Sequence, residues 1–206
     1  MQQLIDFILH IDKHLAELVT QYGTLIYVIL FGIIFAETGF VVTPFLPGDS
    51  LLFAAGALAA IGKMNPVLLF VLLSVAAIAG NFVNYGVGYF IGEKVLAKGW
   101  IKKEYLERTH GYFEKYGVMT IVISRFMPII RTIAPFVAGL GKMNYKMFLL
   151  YNIIGGVSWV ALFVWAGYFL GNLEVVKENF SLITIGIIIV SVIPIGVAFL
   201  KNYFKK

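Results

Sequence analysis

The sequence predicts an all-α polytopic membrane protein. It reads as an inverted repeat with two opposed re-entrant hairpins, about four transmembrane helices and an N-terminal amphipathic helix. Three observations carry that expectation. The 206 residues are 60% hydrophobic and only 13% charged, against about 25% charged in ordinary soluble domains, and mean hydropathy is +0.90. Several apolar stretches reach the length of about 20 residues that spans a bilayer. Short motifs also recur in the two halves at a fixed offset.

Taken in order, residues 1–22 set Leu4, Ile8, Ile11, Leu15, Leu18 and Tyr22 at helical spacing, with Asp6, Asp12, Lys13 and Glu17 between them. Such a helix lies either on the membrane surface or on the protein's own cytoplasmic face. The start lacks the basic, apolar and small-residue succession of a cleaved signal peptide. Segments 24–42, 66–92, 147–171 and 181–200 read as crossing helices. Stretches 44–62 and 118–141 are interrupted by proline, glycine and charge, and each is either a poor crossing helix or a re-entrant hairpin.

Flanking charge decides between these. Lys94, Lys98, Lys102, Lys103, Arg108 and Lys115 make 93–117 a basic cytoplasmic loop. Lys142 and Lys146 follow the stretch 118–141 and place its far end on the same side, so it has not crossed. Each arm of about 10 residues then reaches about 15 Å, near the bilayer midplane. Segment 147–171 leads outward, 172–180 is external, and 181–200 returns to a tail bearing Lys201, Lys205 and Lys206. Working backwards, 66–92 enters from outside, 44–62 is a hairpin opening outward, and 24–42 begins in the cytoplasm, as do both termini. Lys63 alone runs against this arrangement. The chain 1–206 is then one membrane domain, with a first repeat over 23–92 and a second over 118–171.

The repeat is visible directly. "GKMN" occurs at 62–65 and 141–144, and "GYFIG" at 88–92 matches "GYFLG" at 167–171, both pairs offset by 79 residues. "FLP" at 45–47 and "FMP" at 126–128 add a third match. An odd number of crossings between the copies makes them point in opposite directions. Inverted repeats with broken segments at matching positions mark secondary transporters, whose sites lie near the midplane. A duplication kept only as scaffold is the competing reading.

Of 16 basic and 11 acidic residues, only Glu37, Asp49, Arg125 and Arg131 fall inside the apolar stretches. A charge at the bilayer centre costs at least about 2.5–3.5 kcal/mol, so each is a candidate functional residue. On an unbroken helix, Arg125 and Arg131 would point about 120° apart. Pro128 between them breaks the ladder and lets them converge. Pro47 and Gly48 serve Asp49 in the same way, and Pro135 is a further hinge. Freed backbone groups must face protein or a watery cavity, which Thr132, Asn81 and Asn84 would help to line. For Asn81, Asn84, Asn152, Ser158 and Trp159, hydrogen bonding between helices is the favoured role.

Arginine grips phosphate or carboxylate with a planar fork, and buried carboxylates exchange protons. The quartet therefore suggests an anionic head group on Arg125 and Arg131, with protons on Glu37 and Asp49. A purely structural acid–arginine pairing competes with this, and both can hold in different states. There is no cysteine, and His10, His14 and His110 are peripheral, so no metal is expected. No nucleotide loop or serine elbow appears, so neither an enzyme nor a cofactor is suggested. The net charge of +5 flanks membrane segments, so nucleic acid is not the expected partner, whereas an anionic membrane lipid and protons are. A second copy of the chain is compatible with the sequence.

The runs "FAETGFVVTPFLPGDSLLFAAGALA" (35–59), "GNFVNYGVG" (80–88), "YFEKYG" (112–117) and "SRFMPIIRTIAPFVAGLGKMNYKMF" (124–148) resemble the bacterial DedA membrane proteins. The wider superfamily includes eukaryotic lipid scramblases of the endoplasmic reticulum. The resemblance implies a flippase of the bacterial plasma membrane that returns undecaprenyl phosphate to the cytoplasmic leaflet and depends on the proton-motive force. It likewise implies opposed re-entrant hairpins, essential acids at Glu37 and Asp49, and essential arginines at Arg125 and Arg131. Some relatives carry an acid near Asn81, where this chain has an amide. One branch of the family is linked to phosphatidylethanolamine, so a flippase or scramblase for that lipid is the first alternative. A proton-coupled cation or drug exporter and a non-transporting scaffold are the others.

Overall fold

The computed structural model describes residues 21–40, 48–99, 103–171 and 173. The expected amphipathic helix over 1–22 lies almost wholly outside them. Pro47, most of 172–180 and the last crossing helix over 181–200 lie outside as well. Among the described residues all regular structure is helical. Helix α1 spans Leu25–Gly39, α2 Gly48–Ala60, α3 Pro66–Ala97 and α4 Lys103–Tyr116. A 3-10 turn over Gly117–Met119 leads into α5 (Thr120–Ser124), α6 (Pro128–Leu140) and α7 (Tyr145–Leu170).

Two helices, α3 with 32 residues and α7 with 26, are long and apolar enough to cross a bilayer. Along α3, Val67, Val71, Val75, Phe82 and Phe90 form an exposed apolar stripe, and Leu150, Ile154, Leu162 and Phe169 form another on α7. Water would drive such surfaces together, whereas hydrocarbon solvates them. Helix α1 is shorter than the expected 24–42. Its 15 residues reach about 22 Å, less than the bilayer core of about 30 Å.

The region 93–117 is not a loop. α3 continues to Ala97 and α4 fills Lys103–Tyr116. The basic residues hide an apolar helical face: Tyr105 and Leu106 pack on Ile133 and Phe136, and Tyr112 and Phe113 pack on Ile121 and Ile130. Stretch 44–62 contains α2, which is buried along Gly48–Ala59. The first arm of the hairpin expected there falls outside the described residues.

The chain forms two compact units, and each draws on both halves of the sequence. The first takes residues to Gly32, Pro47–Leu73 and those from Val160 onward; the second takes Ile33–Leu46 and Ser74–Trp159. In the first unit α2 lies against the end of α7 along a glycine seam. A Cβ added at Gly56 would stand 2.2 Å from the Val164 carbonyl oxygen, and one at Gly167 2.0 Å from that of Phe53. In the second unit α6 lies against α3 in the same manner. A Cβ at Gly139 would stand 2.0 Å from the Tyr85 oxygen, and one at Gly88 2.1 Å from that of Phe136. Gly88 and Gly167 are the first glycines of "GYFIG" and "GYFLG", so that repeated motif is a docking seam for a short helix.

"GKMN" is a helix stop followed by a helix start. After α2 the Lys63 amide bonds the Leu58 carbonyl at 3.1 Å, and after α6 the Met143 amide bonds the Ala138 carbonyl at 2.9 Å. These six-to-one bonds are the Schellman closure, which needs a left-handed residue. Gly62 (φ +80°) supplies it in the first copy and Lys142 (φ +50°) in the second. The asparagines cap the following helices. Asn65 Oδ1 accepts from the Val67 and Leu68 amides at 3.0 Å, and Asn144 Oδ1 accepts from those of Lys146 and Met147 at 3.0 and 3.3 Å. Asn144→Ala is expected to cost about 1 kcal/mol, seen as a fall of about 2–4 °C in the thermal midpoint in detergent.

Candidate functional site

The site begins with a break in the backbone. α5 ends at Ser124, and tight turns carry the chain on: the Arg125 amide bonds the Val122 carbonyl at 3.2 Å, and that of Met127 bonds Ser124 at 2.9 Å. Met127 is extended (φ −124°, ψ 102°), as the residue before proline must be. Pro128 opens α6, where its missing N–H is no loss. Pro135 lies inside α6 and cannot donate to the Arg131 carbonyl one turn earlier. The break brings both arginines to one indole: Cζ of Arg125 lies 6.0 Å and Cζ of Arg131 5.3 Å from the Trp159 ring centre. Cation–π attraction operates at this range.

Arg125 is only 1% exposed and is held by neutral groups. Its Nη2 donates to the Ala77 carbonyl of α3 at 3.0 Å and to Asn152 Oδ1 of α7 at 2.8 Å. Asn152 in turn donates to the Ile78 carbonyl at 3.0 Å. The Asn81 amide has two orientations. In one its nitrogen donates to Asn152 Oδ1 at 3.1 Å. In the other its oxygen accepts from Arg125 Nη2 at 2.8 Å and Nε at 3.2 Å, and only that one sets an acceptor against the cation. Gly155 and Gly156 leave room for the side chain: a Cβ on either would lie 3.2 Å from Arg125 Cγ or 3.4 Å from Nη2, respectively.

Arg131 is held differently. It forms a buried ion pair with Glu37 of α1, and Glu37 itself is fully buried. The amide nitrogen of Asn84 donates to the carbonyls of Thr132 at 2.7 Å and Thr38 at 3.3 Å. It thereby ties the backbone beside each member of the pair. The end of α1 can lie this close to α3 because residue 80 is glycine: a Cβ there would stand 1.9 Å from Thr38 Oγ1 and 2.7 Å from the Phe35 oxygen. Among the described residues of the second unit the buried charges are Glu37, Arg125 and Arg131, one negative against two positive. Two guanidinium groups beside one carboxylate give these described residues a field that favours an anion.

The structure thus unites Arg125, Arg131, Glu37, Thr132, Asn81 and Asn84. Asp49 is buried in the first turn of α2, behind Gly48, in the other unit. Ser158 bonds the Gly155 carbonyl of its own helix at 3.1 Å, so it does not join helices. Asn152 and Trp159 hold the arginines directly, a role the sequence reading did not assign to them. Their spacing with Gly155 and Gly156 was the available signal, because 152, 155/156 and 159 share one face of a helix.

The VTT domain matches residues 46–169. Protein DedA of Escherichia coli is 54% identical over 196 residues, covering 93% of this chain and 90% of that protein. "Uncharacterized membrane protein Rv0364" of Mycobacterium tuberculosis is 42% identical over 177 residues, 83% and 77% of the two chains. "Inner membrane protein YqjA" of E. coli is 37% identical over 154 residues, 73% and 70%. No solved structure matches.

Proposed function

The chain belongs to the VTT-domain family of membrane proteins that includes Protein DedA, and from that premise we propose that it is a lipid flippase. Its substrate is undecaprenyl phosphate, returned across the bacterial plasma membrane for reuse. The observation that carries this reading is the pair of buried guanidinium groups at the Trp159 indole, with one carboxylate, Glu37, paired to Arg131. A phosphate head group supplies the missing negative charge, and the polyprenyl tail stays in hydrocarbon. The break before α6, with Pro47 at the matching place in the sequence, supports opposed re-entrant hairpins of an inverted repeat, which expose the head group to one side and then the other. Protonation of Glu37 weakens its hold on Arg131, and proton exchange at Glu37 and Asp49 couples movement to the proton gradient. Both arginines contribute to the positive field.

The test is lipid translocation in proteoliposomes with undecaprenyl phosphate or phosphatidylethanolamine. Arg131→Ala should lower undecaprenyl phosphate movement at least about tenfold, the loss that follows from removing a bidentate, charge-assisted contact. Unchanged movement would refute the reading. Phosphatidylethanolamine is the second reading, favoured by the Glu37–Arg131 pair, whose two charges match a zwitterion. It is supported if that lipid alone moves.

A further inference from the structure

We infer that the two arginines divide the work: Arg125 is a fixed positioning residue that ties the backbone break to α3 and α7, and Arg131 alone exchanges its carboxylate for the anion. This rests on the head-group reading above. The two environments differ in kind. Arg125 donates to Ala77, Asn152 and Asn81, acceptors from two helices that are themselves buried. To turn toward a ligand it would strand a buried carbonyl and two amides together, which proteins avoid. Gly155 and Gly156 line its path, and a Cβ on Gly155 would stand 3.2 Å from Arg125 Cγ.

Arg131 meets a carboxylate, Glu37. Exchanging carboxylate for phosphate swaps one anion for another, so the guanidinium never loses a counter-charge. Asn84 holds the backbone of both partners through Thr38 and Thr132, so the exchange needs only side chains to move. Arg125 lends its charge to the field without touching the head group. Trp159, within 6.0 Å of both cations, is placed to report the exchange.

The experiment uses the full chain in detergent, with Trp100→Phe and Trp165→Phe leaving Trp159 as the emitter. Farnesyl monophosphate is titrated as the probe. Arg125→Lys keeps the charge but cannot reach all three acceptors from one ammonium. Its affinity should stay within about threefold of the parent, while its ligand-free thermal midpoint falls by about 5 °C or more. Arg131→Lys should do the reverse, with affinity at least about tenfold weaker and a midpoint fall below about 2 °C. Gly155→Ala leaves both arginines in place and sets a Cβ 3.1 Å from the Val122 Cα and 3.2 Å from Arg125 Cγ, so it should behave as Arg125→Lys does. Equal loss of affinity in the two lysine variants overturns the division. If the parent does not bind the probe, the phosphate reading fails, and the ligand-free midpoints decide alone: an equal fall in both variants overturns the tether.

Discussion

Gly139→Ala should destabilise the protein severely, although it adds a single methyl group. That methyl would stand 2.0 Å from the Tyr85 carbonyl oxygen and 2.8 Å from the Tyr89 nitrogen. Both obstacles are backbone, so no side chain can turn aside, and α6 must lift from α3. Overpacking at side chains typically costs about 1–3 kcal/mol, and a helix forced off its neighbour should cost about 3 kcal/mol or more. The same is expected of Gly167→Ala in the other unit, where the Phe53 oxygen lies 2.0 Å away. The control is Gly86→Ala on the same helix as Gly88, where an added Cβ meets nothing within 4 Å. There alanine should be neutral or stabilise by up to about 1 kcal/mol through helix propensity. Thermal midpoints of purified protein in detergent separate the cases. Equal tolerance at Gly139 and Gly86 would mean that the seam is not tightly packed.

Comparison of these two glycines shows what the sequence could and could not reveal. "GYFIG" and "GYFLG" were visible as a repeat, but only packing tells that their glycines meet a helix backbone whereas Gly86, two residues before Gly88, meets none. Composition and run length were enough for α3 and α7, because a crossing helix is a one-dimensional feature. α4 was hidden by its lysines: counting charge for topology passed over Tyr105, Leu106, Tyr112 and Phe113, whose spacing is helical. In the site, the charges Glu37, Arg125 and Arg131 were legible because burial makes each of them expensive. Their partners were not. Asn152, the Ala77 carbonyl and Trp159 become ligands of arginine only where the Arg125 side chain meets α3 and α7, and a backbone carbonyl leaves no mark in a sequence. Pro128 foretold the break at Arg125–Met127, since both its fixed φ and its effect on Met127 are local.

The Glu37–Arg131 pair should behave as a device kept for function rather than for stability. Glu37→Gln alone leaves the two buried guanidinium groups without this carboxylate. Arg131→Gln alone leaves Glu37, at 0% exposure, without this cation. Removing one partner of a buried pair typically costs about 3–5 kcal/mol, because the survivor stays buried. The double variant Glu37→Gln/Arg131→Gln removes both desolvation penalties and places two amides where they can bond each other. It should recover most of that loss, to within about 1 kcal/mol of the parent. Because the pair is shielded from solvent, the single-variant losses should hardly change between low and high salt, unlike those of a surface pair. Lipid movement should be lost in all three variants, the stable double included, since Glu37 no longer exchanges with the anion and Arg131 no longer grips it. Thermal midpoints and translocation measured on the same preparations settle the matter. A stable double variant that still moved lipid would reduce the pair to scaffold. A double variant as unstable as either single would show that each residue is held by other partners and that the two do not act as a pair.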